Sequence, residues 1–195
     1  MTGFEEAWRD LVREWYPGDP FQPTPAIKQY YETKYRVVER LHPKHILETG
    51  VRAGYSAFIF LRAAPQAQYL GLDNGLADVE SGLALLDHAR LLLKDFDAQL
   101  WVTHSQCLHA WPKAKDGAFY EFVHVDAEHS YDGCLHDLVL SDEGARLILV
   151  DDYDTGPEVR RACEDFTKGP RRGRWRAEHI PDGGVAGNML FLRAG

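Results

Sequence analysis

Sulfur is scarce and unpatterned in this chain: Cys107, Cys134 and Cys163 stand far apart, with no Cys-x-x-Cys spacing among 195 residues. An odd, scattered set argues against a disulfide framework and a structural zinc site, and it suits a reducing compartment, so a cytoplasmic location is expected. No apolar run approaches the length that crosses a bilayer, and Met1-Thr2-Gly3-Phe4-Glu5-Glu6 lacks a basic region leading into an apolar one. Neither a membrane span nor export is expected. Basic charge is also in deficit. Lys and Arg number 22 against 30 Asp and Glu, a net charge of −8, so nucleic acid would bind against the field of the whole molecule and is not an expected partner. The one basic cluster, Arg171-Arg172-Gly173-Arg174-Trp175-Arg176, is short and bracketed by Pro170 and the turn at 181–184; it reads as a solvated loop and strand edge. Internal repeats and low-complexity segments are missing as well.

What is present is enough apolar residue, 45%, to build one core in one domain. Strand-like runs at 45–49, 68–73, 99–103, 121–126, 146–151 and 188–193 alternate with helical patterns. Such α/β alternation favours a mostly parallel sheet with helices on both faces and ligands at the carboxyl ends of the strands. Glu48, Asp73, Asp126 and Asp151 each lie at or beside such an end. Ile27, Tyr30, Tyr31, Tyr35, Val38 and Leu41 form a helical stripe over 26–41, stopped by Pro43. Ser81 is placed to cap a helix carrying Leu83, Leu86, Leu92, Leu93 and Phe96, and Thr155-Gly156-Pro157-Glu158 reads as a capping box with a proline in the first turn. Residues 1–25, an aromatic helix around Phe4, Trp8, Leu11 and Trp15 followed by four prolines, read as an appendage to a domain spanning 26–195. It would cover the pocket, pack on the sheet, or form the interface of a homo-oligomer.

The densest signal is His45-Ile46-Leu47-Glu48-Thr49-Gly50-Val51-Arg52-Ala53-Gly54-Tyr55-Ser56, a buried strand ending in an acid and a glycine-rich turn before a helix. The spacing lacks the Gly-x-Gly-x-x-Gly that seats a pyrophosphate on a helix N-terminus. A carboxylate at Glu48 would repel a diphosphate and attract the cationic amino group of a methionine-type ligand. Asp73, some two dozen residues beyond the first glycine, is suited to accept both hydroxyls of a ribose. Ser105-Gln106, after the third strand, is placed to touch an adenine ring. Asp126, Asp151 and Asp152 end two neighbouring strands; carboxylates gathered there need a shared proton or a cation, and all-oxygen ligation suits magnesium or another hard divalent ion. His129, three residues after Asp126, is placed to take a proton from a hydroxyl near neutral pH. Trp101, Trp111, Tyr131 and Tyr153 read as packing residues rather than pocket walls.

The Glu-x-Gly-x-x-x-Gly turn resembles the first motif of the class I S-adenosylmethionine-dependent methyltransferases. With Asp126-Ala-Glu-His129-Ser-Tyr131 and Asp151-Asp152-Tyr153, the stretch from about Leu41 onward resembles the metal-dependent small-molecule O-methyltransferases of the macrolide-sugar group. The resemblance implies a Rossmann-like doubly wound, mostly parallel seven-stranded sheet with an antiparallel last strand. It implies Asp126, Asp151 and Asp152 as metal ligands, His129 as general base, and Glu48, Gly50, Gly54, Tyr55 and Ser56 against the methionine part of S-adenosylmethionine (SAM); Asp126 is expected to meet the cofactor as well. It further implies transfer of a methyl group to a hydroxyl of a small metabolite, such as a sugar, a polyketide or an aromatic natural product. Ala127-Glu128 departs from the family's commoner Gly-Asp or Gly-Ser, and the chain lacks the large N-terminal extension of the macrolide enzymes.

Two other enzyme classes fit fewer residues. His124-x-Asp126 with His179 imitates the two-histidine, one-carboxylate set of non-haem iron oxygenases, but such sites favour all-β folds. A nicotinamide-dependent oxidoreductase suits the alternation, yet neither the glycine spacing nor the paired acids at 151–152. A binding protein that keeps the cofactor pocket without catalysis would not need Asp126, His129, Asp151 and Asp152 together.

Overall fold

The computed structural model describes residues 3–76, 82–182 and 184–195. Ser81, expected to cap a helix, the side chain of Leu83, and Gly183 of the expected turn lie outside the described residues. The elements run α1 (Gly3–Arg13), α2 (Pro25–Leu41), β1 (His45–Thr49), α3 (Tyr55–Ala63), β2 (Gln68–Asp73), α4 (Gly82–Leu92), β3 (Ala98–Val102), β4 (Phe122–Val125), α5 (Tyr131–Ser141), β5 (Leu147–Val150), α6 (Pro157–Phe166), β6 (Trp175–Ile180) and β7 (Asn188–Arg193).

The strands form one sheet in the order β3-β2-β1-β4-β5-β7-β6. Strands β1 to β5 pair in parallel, and β7 enters antiparallel between β5 and β6. This is the doubly wound α/β sheet expected. The order reverses between β1 and β4, so the chain leaves these two strands for helices on opposite faces of the sheet, and a crevice opens at the carboxyl edge.

Alternation along the central strands assigns the two faces. Ile46, Phe122 and Leu149 pack under α1, α2 and α3, whereas Leu47, Val123, Val125, Ile148 and Val150 pack against α5 and α6. Helix α1 turns its apolar side inward: Phe4, Ala7 and Leu11 are fully buried in the core that α2 and α3 share. Thr24 caps α2 by accepting the Ile27 amide, with Pro25 in the first turn.

Three local expectations are corrected. Strand β6 was not among the strand-like runs, because Trp-Arg-Ala-Glu-His-Ile is an edge strand with four consecutive exposed residues and carries no apolar alternation. The basic cluster is engaged rather than merely solvated: Arg171 and Arg174 pair with Asp142 at 3.3 and 2.9 Å, and the Trp175 indole donates to the same carboxylate at 2.8 Å. The capping box at 155–158 does not form. The N-cap of α6 is Gly156, with no side-chain bond, and the Thr155 hydroxyl donates instead to Asp152 Oδ1 at 2.8 Å. No helix among the described residues is long and apolar enough to cross a membrane.

Candidate active site

The carboxyl ends of β1, β2, β4 and β5 open into a cavity of about 610 Å³. Its floor is the turn from β1 to α3, which the chain shapes with Gly50 and Gly54 at φ +82° and +81° and Arg52 at φ +49°. A side chain on Gly50 would strike the Asp126 backbone carbonyl, 1.9 Å from the position of its Cβ, and one on Gly54 would meet Ala89 of α4 at 2.9 Å. The glycines clear the way for the protein's own backbone, which brings the turns after β1 and β4 into contact.

Asp73 braces this turn. Its Oδ2 accepts the amides of Val51 and Arg52 at 2.8 and 2.9 Å, and its Oδ1 accepts that of Gly75 at 2.7 Å. Three of a carboxylate's roughly four acceptor positions are thereby used. Shaping the turn is its first role, and a ribose hydroxyl would take what remains.

Of the residues expected to meet the cofactor, Gly50, Tyr55, Ser56, Asp73, Ser105 and Asp126 line the cavity. Gly54, the N-cap of α3, faces Ala89 of α4 instead, and Glu48 is placed elsewhere. Glu48 is 1% exposed on the face beneath α2 and α3, where it accepts the Tyr69 hydroxyl and lies 2.8 Å from His124 Nδ1. Burial pushes its carboxyl up to about 8 against the opposing pull of Tyr69 and Lys34. Burial, reinforced by Lys34, holds the His124 imidazole well below its ordinary range. The pair is a sealed polar layer under the site.

The acids divide into two groups that share Asp126. Ligand atoms of Asp126, His129 and Asp152 lie within 4.8 Å of one another, as do those of His124, Asp126 and Asp151. The expected set of Asp126, Asp151 and Asp152 is not gathered in this way, because Asp151 is turned to a partner that the sequence reading passed over. Lys34, on α2 and wholly buried, donates to Asp151 Oδ2 at 2.8 Å and to Ser56 Oγ at 3.2 Å, contacts the Tyr30 hydroxyl, and stands 3.9 Å from Asp126 Oδ2. Tyr30 donates to the same Asp151 oxygen, and the Asp152 amide donates to the other at 3.0 Å. Although burial alone would raise Asp151, Lys34 holds it below the usual carboxylate range; burial and Asp151 push Asp126 up. The signal for Lys34 was a lysine four residues after Tyr30 and four before Val38, on the apolar stripe of its helix.

The open group faces the cavity. His129 precedes Ser130, the N-cap of α5, whose hydroxyl accepts the Gly133 amide at 3.1 Å. Its Nε2 lies 3.1 Å from Asp152 Oδ2 and 3.7 Å from Asp126 Oδ1, with half of the side chain exposed. Asp126 first, then Asp152, raise the imidazole to about 9 against its partial burial. Glu128, the departure from the family pattern, is tied down: it accepts Gln106 Nε2 at 2.6 Å and the Ser130 hydroxyl at 2.7 Å. His179, by contrast, sits on β6 and meets Asp154 at 3.0 Å. The iron set of His124, Asp126 and His179 is not assembled.

Aromatic walls come from the N-terminal segment and from α2. Trp15 stacks on Tyr55 with ring centroids 4.1 Å apart, Arg52 is held by the buried Asp19 at 2.8 and 3.0 Å, and Trp15, Phe21, Tyr30 and Tyr31 line the cavity. Trp101, Trp111, Tyr131 and Tyr153 do not line it.

The sequence matches no protein-family model and no curated protein. Solved structures do match it. The methyltransferase PaMTH1 from Podospora anserina, solved with S-adenosylhomocysteine (SAH), superposes with a TM-score of 0.63 at 16% identity, over 100% of this chain and 89% of the other. The O-methyltransferase from Bacillus cereus in complex with SAH gives 0.64 at 16% over 99% and 91%. TomG from Streptomyces achromogenes, an O-methyltransferase involved in tomaymycin synthesis and solved with SAM, gives 0.62 at 19% over 100% and 91%. The chain therefore has the Rossmann-like fold of the class I methyltransferases.

Proposed function

We propose that the protein transfers the methyl group of SAM to a hydroxyl oxygen of a small metabolite. The observation that carries this reading is that one cavity holds both the braced glycine turn and the group Asp126, His129 and Asp152. That the similar folds include O-methyltransferases solved with SAM or SAH supports it.

Gly50, Tyr55, Ser56 and the backbone of 51–53 would hold the cofactor's amino-acid part, with Asp73 and Ser105 on the nucleoside side. SAM supplies, when bound, a methyl already activated on a sulfonium. The protein's tasks are to align the acceptor oxygen and remove its proton. His129 Nε2 takes that proton, and Asp126 and Asp152 orient the ring and stabilise the imidazolium that results. The aromatic walls at Trp15, Phe21, Tyr30 and Tyr31 suit an acceptor with an apolar or flat body: a sugar bearing an apolar group, a polyketide or an aromatic natural product.

The magnesium that the resemblance implies does not fit the three acids as they stand. An ion bridging Asp126 and Asp151 needs both oxygens at about 2.0–2.1 Å, and the Lys34 ammonium already occupies Asp151 and neighbours Asp126. No step here is routed through a metal.

An acceptor panel of phenols, sugars and polyketides with methyl-labelled SAM tests the proposal. Label should appear on an oxygen of at least one hydroxyl compound. Label confined to amines or thiols contradicts it.

A further inference from the structure

Burying an ammonium is costly, and a lysine survives fully buried only where its charge and its donors are answered. Lys34 is 0% exposed and does not line the cavity, so it touches no substrate. Its three donors are nonetheless met by Asp151, Tyr30 and Ser56, and the face of the Tyr30 ring lies 4.1 Å away. This arrangement ties α2 to the ends of β5 and α3, where Asp126 and Asp151 come together from adjoining strands.

We propose that Lys34 is the protein's own counter-cation for Asp151 and Asp126, standing where a divalent ion would otherwise be needed, and that methyl transfer here is metal-independent. The second half rests on the methyl-transfer reading of the same cavity; the first does not. Two further contacts agree with it. Asp151 has three of its roughly four acceptor positions taken, with Lys34 and Tyr30 on Oδ2 and the Asp152 amide on Oδ1. Asp152 is also committed, with Thr155 on Oδ1 and His129 on Oδ2. A metal bridging Asp151 and Asp126 would have to displace an ammonium that now makes three hydrogen bonds. Lys34 is thus a positioning residue: it fixes Asp151 and neutralises the acid cluster, leaving His129 free to act as base rather than as a ligand.

The test is titration of the whole protein with Mn²⁺, with free ion followed by electron paramagnetic resonance. The wild type should show no one-to-one uptake. Lys34→Gln, which removes the charge and leaves the acids, should gain affinity for one Mn²⁺ on the order of a hundredfold or more. One-to-one uptake by the wild type, abolished by Asp152→Asn, would overturn the proposal. So would a folded Lys34→Gln that gains no Mn²⁺ site. Should that variant fail to fold, the wild-type titration still decides. SAH binding measured on the same sample separates the two readings: its absence defeats the methyltransferase assignment and leaves the cation result standing. Where an acceptor is in hand, a rate unchanged by EDTA supports the proposal, and a rate lost to EDTA and restored by Mg²⁺ overturns it.

Discussion

Alanine in place of His129 is expected to lower kcat by about 10²–10⁴-fold, the usual worth of a positioned base, and to leave the affinity for SAH unchanged. The ring stands in the cavity between Asp126 and Asp152, and its backbone lies outside the glycine turn. Its loss therefore removes a proton acceptor without touching the cofactor's seat. The pH profile carries the sharper signature. Because the two acids raise the imidazole to about 9, His129 is mostly protonated at neutral pH, and only the neutral fraction can accept a proton. In the wild type, kcat/KM should climb about tenfold per pH unit below the pKa and level off near pH 9. The climb should vanish in His129→Ala. The same shift has the opposite sign for stability: the charged ring stabilises the fold at pH below the ordinary histidine range, and that contribution is lost as pH rises towards 9. A flat rate profile, or a variant as fast as the wild type, removes His129 from the chemistry.

Gly50→Ala should be the most damaging of the glycine-to-alanine changes among the described residues. The added Cβ would fall 1.9 Å from the Asp126 carbonyl oxygen, at a φ of +82°. The left-handed backbone costs an alanine about 1–2 kcal/mol, and forcing two packed backbone turns apart costs about 1–3 kcal/mol more. The oxygen cannot yield without moving Asp126, so the same substitution should abolish SAH binding. Urea unfolding with calorimetry on any folded fraction reads both effects. A variant within about 1 kcal/mol of the wild type that binds SAH normally would show that the contact between the turns after β1 and β4 does not shape the site.

Much of this was legible in the sequence because buried parallel strands write themselves as short apolar runs. β1 and β2 fall at the expected residues, and β4 and β5 within one residue at each end; β3, an edge strand with more of its residues exposed, also falls within one residue. The acids at 48, 73, 126 and 151 were correctly placed at strand ends, but their partners were not legible. Alternation puts Ile46 and Glu48 on the α2–α3 face of β1, as it does Phe122 and His124 on β4. An acid just before a glycine turn was therefore as free to enter a buried layer with Tyr69 and His124 as to face a ligand. Spacing along the chain gives no sign of which face of the sheet a distant helix will cover. Lys34 was missed for that reason: only the packing of α2 over β5 brings its ammonium to Asp151, 117 residues away. Strand β6 escaped because an edge strand need not be apolar.

The most direct test of the central claim is calorimetric titration of the purified protein with SAH, in buffer containing EDTA. The account expects one-to-one binding in the wild type, retained in His129→Ala and lost in Gly50→Ala. No binding by a folded wild type, with or without added divalent ion, would contradict the assignment of this cavity to SAM.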